Sequence, residues 1–91
     1  MPRKEKVTRV LDGDTFKTGS RKNPVRLANV NAPEKGKRGS AAATNELKRL
    51  IEGQTVSIET VARDKYGRSV AKVKVGRRSV NKAVKDKLQR K

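Results

Sequence analysis

The chain has no cysteine, no histidine and no tryptophan, and only one tyrosine and one phenylalanine among its 91 residues. Without cysteine there can be no disulfide and no thiolate chemistry, so the composition leaves the redox compartment open. The lack of cysteine and histidine, with no serine beside a base, argues against a covalent enzyme intermediate. With 32% apolar residues, the core must be aliphatic and thin. One domain of this size buries only about two thirds of its unfolded surface.

Acidic residues are also scarce. Nine carboxylates face 25 lysines and arginines, which gives a formal net charge of +16. Such an excess favours polyanions, because each neutralised phosphate releases condensed counterions, and nucleic acid is the expected partner. The same charge could belong to a disordered basic tail or act only in solubility, but periodic apolar positions favour a folded domain. No stretch combines a broad apolar face with aromatic residues, so no membrane partner is expected.

Short runs of alternating or β-branched apolar residues predict five strands. The first run meets Asp12-Gly13, a hairpin dipeptide, and the chain returns through a three-strand meander. The predicted strands lie at 7–11, 15–18, 25–30, 56–58 and 70–75.

Two helices complete the predicted order βββ-α-ββ-α. Ser40 is the expected cap of the first helix, which ends near Glu52-Gly53, and Ser79 opens the second. Their apolar positions at helical spacing are Ala43, Leu47, Leu50 and Ile51, then Val80, Ala83, Val84 and Leu88. This order predicts a mainly β, α+β domain with the five-stranded OB-fold barrel, whose nearest rival is an SH3-like barrel. The domain is predicted at 7–88, between a basic arm at 1–6 and a basic tail at 89–91.

Three segments, 12–15, 26–34 and 64–68, place a few carboxylates and two arginines in a chain that is otherwise basic. Carboxylates retained among cations suggest a metal ion, and arginines beside a metal suggest a phosphate, because the guanidinium presents paired donors in one plane. The combination predicts phosphodiester hydrolysis. Structural roles stay open, since Asp14 could cap the hairpin turn at the barrel rim and Arg26 could lie on a solvated strand face.

In order and spacing these segments resemble the thermonuclease family, whose type member is staphylococcal nuclease. The similarity runs from about residue 7 to about residue 88. The resemblance implies the OB-fold and a calcium-dependent nuclease that cleaves the 5′ P–O bond of DNA or RNA. A single-stranded or unpaired strand is the expected substrate, and the protein is expected to be a monomer.

The family's motif also implies a role for each matching residue. Arg26, Glu34 and Arg68 are the implied catalytic residues, with Glu34 as the general base and the two arginines on the phosphate. The implied ligands of one calcium ion, or of another divalent cation, are Asp14, Asn31 and the carbonyl of Ala32. The implied substrate contacts are Lys65 and Tyr66.

Asn31 departs from the family, which has aspartate there, just as Ala32 replaces a threonine. An amide oxygen can coordinate calcium but brings no charge, so we expect calcium affinity to fall about ten- to hundredfold, about 1.4–3 kcal/mol. The alternative to a weakened nuclease is therefore a nuclease-like OB-fold module that only binds nucleic acid. A third interpretation is a general polyanion-binding protein.

The start Met1-Pro2-Arg3-Lys4 lacks the apolar run of a secretion signal, which favours the cytoplasm by default. Members of the family are often exported, so secretion stays open.

Overall fold

The structure is a computed structural model that describes residues 3–33 and 36–89. Its strands are β1 (Arg3–Asp12), β2 (Thr15–Thr18), β3 (Val25–Leu27), β4 (Thr55–Arg63), β5 (Ser69–Val75) and β6 (Arg78–Ser79). Its helices are α1 (Ser40–Ile51), between β3 and β4, and α2 (Val80–Gln89) after β6. Neither helix is long and apolar enough to cross a membrane.

The first five strands form a closed barrel. They neighbour one another in the order β3-β2-β1-β4-β5, and β3 pairs in parallel with β5 to close the sheet. The antiparallel pairs carry register shifts between Val7 and Arg9 and between Thr60 and Ala62, where irregularities bend the strands. The predicted five-stranded OB-fold barrel with two helices is confirmed. The two-residue strand β6 was not predicted, because it is too short to show alternation.

A small aliphatic core fills the barrel and packs against both helices. Its fully buried side chains include Phe16, Leu27, Leu47, Ile51, Ile58, Val80 and Val84. Helix α1 has Gly39 (φ 86°) as its N-cap, so the predicted cap Ser40 is instead the first helical residue. At the other end Gly53 (φ 77°) supplies the expected left-handed stop. Ser79 caps α2 as predicted, since its Oγ accepts a hydrogen bond from the backbone N–H of Lys82 (3.2 Å).

Strand β1 begins earlier than predicted. Arg3 to Lys6 pair with Ile58 to Thr55 of β4, so the predicted basic arm does not extend over residues 3–6. Residues 1 and 2 of that arm, and residues 90 and 91 of the predicted tail, lie outside the described residues. Strand β3 is shorter than the predicted 25–30, because Asn29 takes a left-handed conformation (φ 60°) and turns the chain away from the sheet.

The buried carboxylate of Glu5 explains why residues 3–6 join the sheet. Its Oε1 accepts hydrogen bonds from the hydroxyls of Thr18 and Ser20, both at 2.8 Å. The Nε of Arg21 donates to both carboxylate oxygens, and its Nη1 donates to Ser69 Oγ. The ion pair with Arg21 and the two hydroxyl donors compensate the cost of burying the Glu5 carboxylate, because a buried charge without such partners would destabilise the fold.

Stability should therefore depend on the ionisation of Glu5. Burial raises the pKa of Glu5, but the hydrogen bonds from Thr18, Ser20 and Arg21 outweigh burial and hold the pKa below its ordinary 4.5. Because the folded-state pKa is lowered, ionised Glu5 adds its full contribution to the free energy of unfolding above about pH 4.5. This contribution is lost as the pH falls through the lower pKa of the folded state. We expect Glu5→Gln to reduce the free energy of unfolding at pH 7 by about 1–3 kcal/mol.

Urea denaturation at pH 7 and at lower pH measures this effect. The difference in free energy of unfolding between wild type and Glu5→Gln should become smaller as the pH falls below 4.5. Glu59→Gln, on the exposed side of β4, is the matched control and should change stability little at any pH. A gap for Glu5→Gln that stays constant with pH would contradict the assignment.

Asn81 joins β5, the end of β3 and α2. Its Nδ2 donates to the carbonyls of Ala28 (2.9 Å) and Ala71 (3.0 Å), and its Oδ1 accepts from the N–H of Val73 (2.8 Å). The N–H of Ala28 also donates to Ala71 O. These bonds fix the chain where it leaves β3, just before the segment that carries Asn31.

We expect Asn81→Ala to lower the free energy of unfolding by about 2–3 kcal/mol, because it leaves the Val73 N–H and the Ala28 carbonyl without their partner. Urea denaturation checks this, with Asn45→Ala on the exposed side of α1 as the control. Equal losses in the two variants would show that the three hydrogen bonds contribute nothing specific.

Candidate active site

One polar cleft lies where the β1–β2 hairpin, the end of β3 and the loop before β5 meet. It has a volume of about 410 Å³. We call it the active-site cleft and define it by its lining residues, which are Asp12, Asp14, Arg26, Asn31, Ala32, Pro33 and Arg68. Five residues predicted from the sequence are thus brought together from three separate segments.

Asp14 connects these segments. Its Oδ1 accepts a hydrogen bond from the hydroxyl of Thr15 (2.9 Å), and its Oδ2 accepts one from the N–H of Ala32 (3.1 Å). Its backbone carbonyl accepts from the N–H of Leu27 in β3. Asp14 is only 8% exposed, more buried than expected for a residue at the barrel rim. A carboxylate offers about four lone-pair sites, so Asp14 can still bind a further donor or cation.

The turn before Asp14 needs glycine. A Cβ on Gly13 would lie 2.5 Å from Ala43 Cβ of α1 and 2.8 Å from Ala32 Cβ. Both distances are closer than side-chain carbons approach one another, so the hairpin could not sit against α1 and the 31–33 segment with any other residue there. The predicted Asp12-Gly13 turn therefore also shapes the cleft.

Arg26 lies opposite Thr15 in the β2–β3 pairing, with its side chain 22% exposed at the cleft. Its Nη2 donates to Asn31 Oδ1 (2.8 Å) and lies 3.5 Å from Asp14 Oδ2. Its Nη1 donates to the carbonyl of Leu27 (3.3 Å). The guanidinium is therefore held in one orientation by groups of the cleft itself.

Arg68 is held by the turn that precedes β5. Its Nε donates to Asp64 Oδ2 (2.5 Å), while Asp64 Oδ1 accepts from the N–H groups of Tyr66 and Arg68. Burial raises the pKa of Asp64, but these hydrogen bonds and the charge of Arg68 hold it below its usual range. Gly67 (φ 81°) allows the turn. The bond to Asp64 uses Nε, and neither Nη of Arg68 bonds to a described residue.

Lys65 and Tyr66 lie on this same turn but do not line the cleft. The Tyr66 side chain is 69% exposed. Lys65 Nζ lies 5.3 Å and Arg68 Cζ lies 5.5 Å from the centre of the Tyr66 ring, within the range of a cation–π contact. The structure thus places an exposed aromatic ring and a lysine directly beside Arg68.

Sequence reasoning missed Asp12 as a cleft residue and assigned it to the turn alone. Its Oδ1 accepts the N–H of Asp14 (3.1 Å). Burial, and then the nearby Asp14, raise the pKa of Asp12. The spacing of two carboxylates on either side of Gly13 was the available signal.

The oxygen donors predicted from the sequence are of the class that hard divalent cations bind. They are the Asp14 carboxylate, the Asn31 amide oxygen and the Ala32 carbonyl, and calcium accepts all three types. Residues 3–33 and 36–89 contain no cluster of three or more His, Cys, Asp or Glu side chains. The donors predicted from the sequence therefore fit a hard cation, and Asp12, which lines the same cleft, offers a second carboxylate. Glu34, the predicted general base, lies outside the described residues.

Comparison with known proteins agrees with this architecture. Residues 24–88 match the family model of the staphylococcal nuclease homologues. The chain therefore belongs to the staphylococcal nuclease family.

Two relatives illustrate the similarity. The chain is 40% identical over 70 residues to an uncharacterized endonuclease of Escherichia coli O157:H7, which covers 75% of this chain and 46% of that protein. It is 36% identical over 69 residues to a micrococcal nuclease of Shigella flexneri, which covers 74% of this chain and 40% of that protein. The chain thus spans less than half of the length of either relative.

Proposed function

We propose that this chain is a nuclease domain that hydrolyses phosphodiester bonds of single-stranded or unpaired DNA or RNA with the help of a divalent cation. The observation that carries the proposal is the convergence of Arg26, Arg68 and Asp14 in one cleft. Two guanidinium groups and a carboxylate there suit a phosphate beside a cation. The similarity to proteins named as nucleases supports the same activity.

The two arginines act on the phosphate. Negative charge on the phosphate oxygens grows in the transition state, and donors that are already oriented stabilise it without reorganising. Arg68 is oriented through Nε by Asp64, which leaves both Nη groups able to donate to the substrate. Arg26 is oriented by Asn31 and partly by Asp14, and it can share its planar fork with a phosphate oxygen.

Asp14, Asn31 and the Ala32 carbonyl would hold calcium in this cleft. When bound, the cation supplies Lewis-acid polarisation of the scissile phosphate. Thr15 and the Ala32 N–H fix the Asp14 carboxylate through one hydrogen bond to each oxygen. Glu34 is proposed to take the proton from the attacking water, a role that rests on its place in the motif.

Tyr66 and Lys65 are proposed to contact the substrate next to the scissile phosphate. The exposed ring of Tyr66 can stack on a base, and Lys65 can pair with the neighbouring phosphate. Such contacts favour unpaired strands, because the bases of a duplex are not free to stack on a protein side chain.

One observation favours a second candidate function, a binding module without efficient cleavage. Asn31 is uncharged, and its Oδ1 already accepts a hydrogen bond from Arg26. A cation held by Asp14, Asn31 and the Ala32 carbonyl would therefore have a single carboxylate ligand. In that case the cleft would bind nucleic acid and cleave it slowly or not at all.

Incubation of the purified protein with end-labelled single-stranded DNA and RNA tests the proposal. Each strand is incubated with calcium and, separately, with a chelator. We expect a ladder of products that appears only with the divalent cation. Binding without any divalent-dependent ladder on either strand would reject the nuclease and leave the binding module.

A further inference from the structure

A second cleft, of about 340 Å³, lies between β5 and α2. We call it the lysine cleft and define it by Asn29, Lys72, Lys74, Lys82 and Lys85, which all line it. Among the described residues that line it there is no carboxylate and no aromatic ring. Nothing in the proposed chemistry uses this cleft.

The sequence places the four lysines together through two different periodicities. Lys72 and Lys74 alternate along β5 with Ala71 and Val73, which face the core, so both lysines point outward. Lys82 and Lys85 are three residues apart on α2 and share one face. All four side chains are exposed.

None of these four lysines forms a close ion pair with a described residue, although Glu59 lies opposite Lys72 in the β4–β5 pairing. The ion pairs of the described residues all use arginines, namely Arg21, Arg26, Arg49 and Arg68. Like charges at close spacing repel one another and destabilise the folded state, so an external anion that neutralises the four ammonium groups is favoured. A lysine binds phosphate as a point charge, without the fixed geometry that arginine imposes.

The lysine cleft adjoins the active-site cleft along one short piece of chain. Asn29 and Val30 line the lysine cleft, whereas Asn31 and Ala32 line the active-site cleft. Consecutive Cα atoms are only about 3.8 Å apart. The change from one cleft to the other falls between Val30 and Asn31, just after the left-handed turn at Asn29 (φ 60°), and a hydrogen bond from Asn81 holds Ala28 before that turn. The two clefts therefore lie close enough together for one extended strand to reach both.

We propose that the lysine cleft binds the phosphate backbone of the same nucleic-acid strand whose scissile phosphate lies at Arg26 and Arg68. This inference rests on the proposed function, because it takes that strand as the ligand. With no ring available for stacking, binding there is sequence-independent and is driven by release of counterions. The lysine cleft thus lengthens the strand that the domain holds without adding sequence specificity.

Equilibrium binding in the presence of a chelator tests this without hydrolysis. A labelled single-stranded 12-mer is titrated by fluorescence anisotropy at several salt concentrations. The test variant carries Lys→Gln at 72, 74, 82 and 85, and the matched control carries Lys→Gln at 4, 6, 17 and 48. The two variants lose the same charge, because each replaces four exposed lysines. The control lysines lie on β1, β2 and α1, away from the lysine cleft.

We expect the test variant to bind at least tenfold more weakly at 0.1 M salt. Its slope of log K against log salt should be shallower than that of the wild type by about 2–3, since each neutralised phosphate of a single strand contributes about 0.7. The control variant should change the slope by less than about 1. A Lys→Arg variant at the four test positions should keep the wild-type affinity, which shows that charge and not side-chain loss is responsible.

Equal weakening in the test and control variants would overturn the inference, because attraction would then be spread over the whole surface. Displacement of the strand by poly-glutamate at equal charge concentration would also overturn it, in favour of an acidic protein partner. A wild type that cleaves no substrate, beside a selective loss of binding in the test variant, would reject the proposed nuclease and support the lysine cleft as a binding site.

Discussion

Replacing Arg68 by lysine is expected to lower the rate of phosphodiester cleavage by about a hundredfold to a thousandfold, the usual effect of losing one oriented donor. Lysine keeps the positive charge and can still pair with Asp64, so the turn before β5 should persist. It cannot keep one donor on Asp64 while presenting two others in a fixed plane to the phosphate. The loss should therefore appear in the rate of the chemical step and much less in strand affinity.

Single-turnover cleavage with saturating protein separates these two effects. Arg63→Lys is the matched control, since Arg63 is an exposed arginine at the end of β4 that does not line the active-site cleft. It should cleave at the wild-type rate. If Arg68→Lys also cleaves at that rate, Arg68 does not act on the transition state. Arg26→Lys is expected to behave like Arg68→Lys, because Arg26 is held by Asn31 in the same cleft.

Replacing Asn31 by aspartate is expected to tighten calcium binding by about ten- to hundredfold, about 1.4–3 kcal/mol. The change adds a negative oxygen ligand beside Asp14 in the active-site cleft. Arg26 Nη2 lies 2.8 Å from Asn31 Oδ1, so the new carboxylate also binds Arg26 more strongly. This stronger contact offsets part of the gain in calcium affinity. Cleavage at limiting calcium should rise in parallel.

Calorimetric titration with calcium and a cleavage assay on both proteins measure the two effects. Asn45→Asp is the control, because it adds the same charge on the exposed side of α1, outside both the active-site cleft and the lysine cleft. A wild type that binds calcium as tightly as Asn31→Asp would refute the metal site. An active Asn31→Asp beside an inactive wild type would show an intact scaffold that serves as a binding module.

Much of the fold could be predicted because its signals are local. Apolar alternation marked the strands, helical spacing marked α1 and α2, and Ser79 marked a helix start that the structure confirms. The start of β1 could not be predicted in this way. Residues 3–6 are charged and look like a solvated arm, and they join the sheet because Glu5 finds a buried ion pair with Arg21, far along the chain.

The early end of β3 has a similar cause. Nothing in the sequence around 28–30 shows that Asn81, more than fifty residues away, takes the carbonyl of Ala28. The chain therefore turns at Asn29 where apolar content alone favoured a continued strand.

The candidate site could be predicted in part. The order and spacing of three motifs singled out Asp14, Arg26 and Arg68, and the resemblance to the family, not the pattern, supplied their roles. The side-chain oxygens that orient Arg26 and Arg68 are set by tertiary contacts. The hydrogen bond between Arg26 and Asn31 could therefore not be predicted from the sequence. The lysine cleft depends on how α2 lies against β5, which no local pattern specifies.

Hydrolysis of phosphodiester bonds in the active-site cleft, with the help of a divalent cation, is the activity proposed for this domain. Cleavage of one end-labelled single strand by wild type and by Arg68→Lys, purified in parallel, tests it most directly when each is assayed with calcium and with chelator. The proposal predicts a wild-type ladder that needs calcium and a rate for Arg68→Lys that is about a hundredfold or more lower. No calcium-dependent ladder from the wild type, or ladders of equal rate from the two proteins, would contradict it.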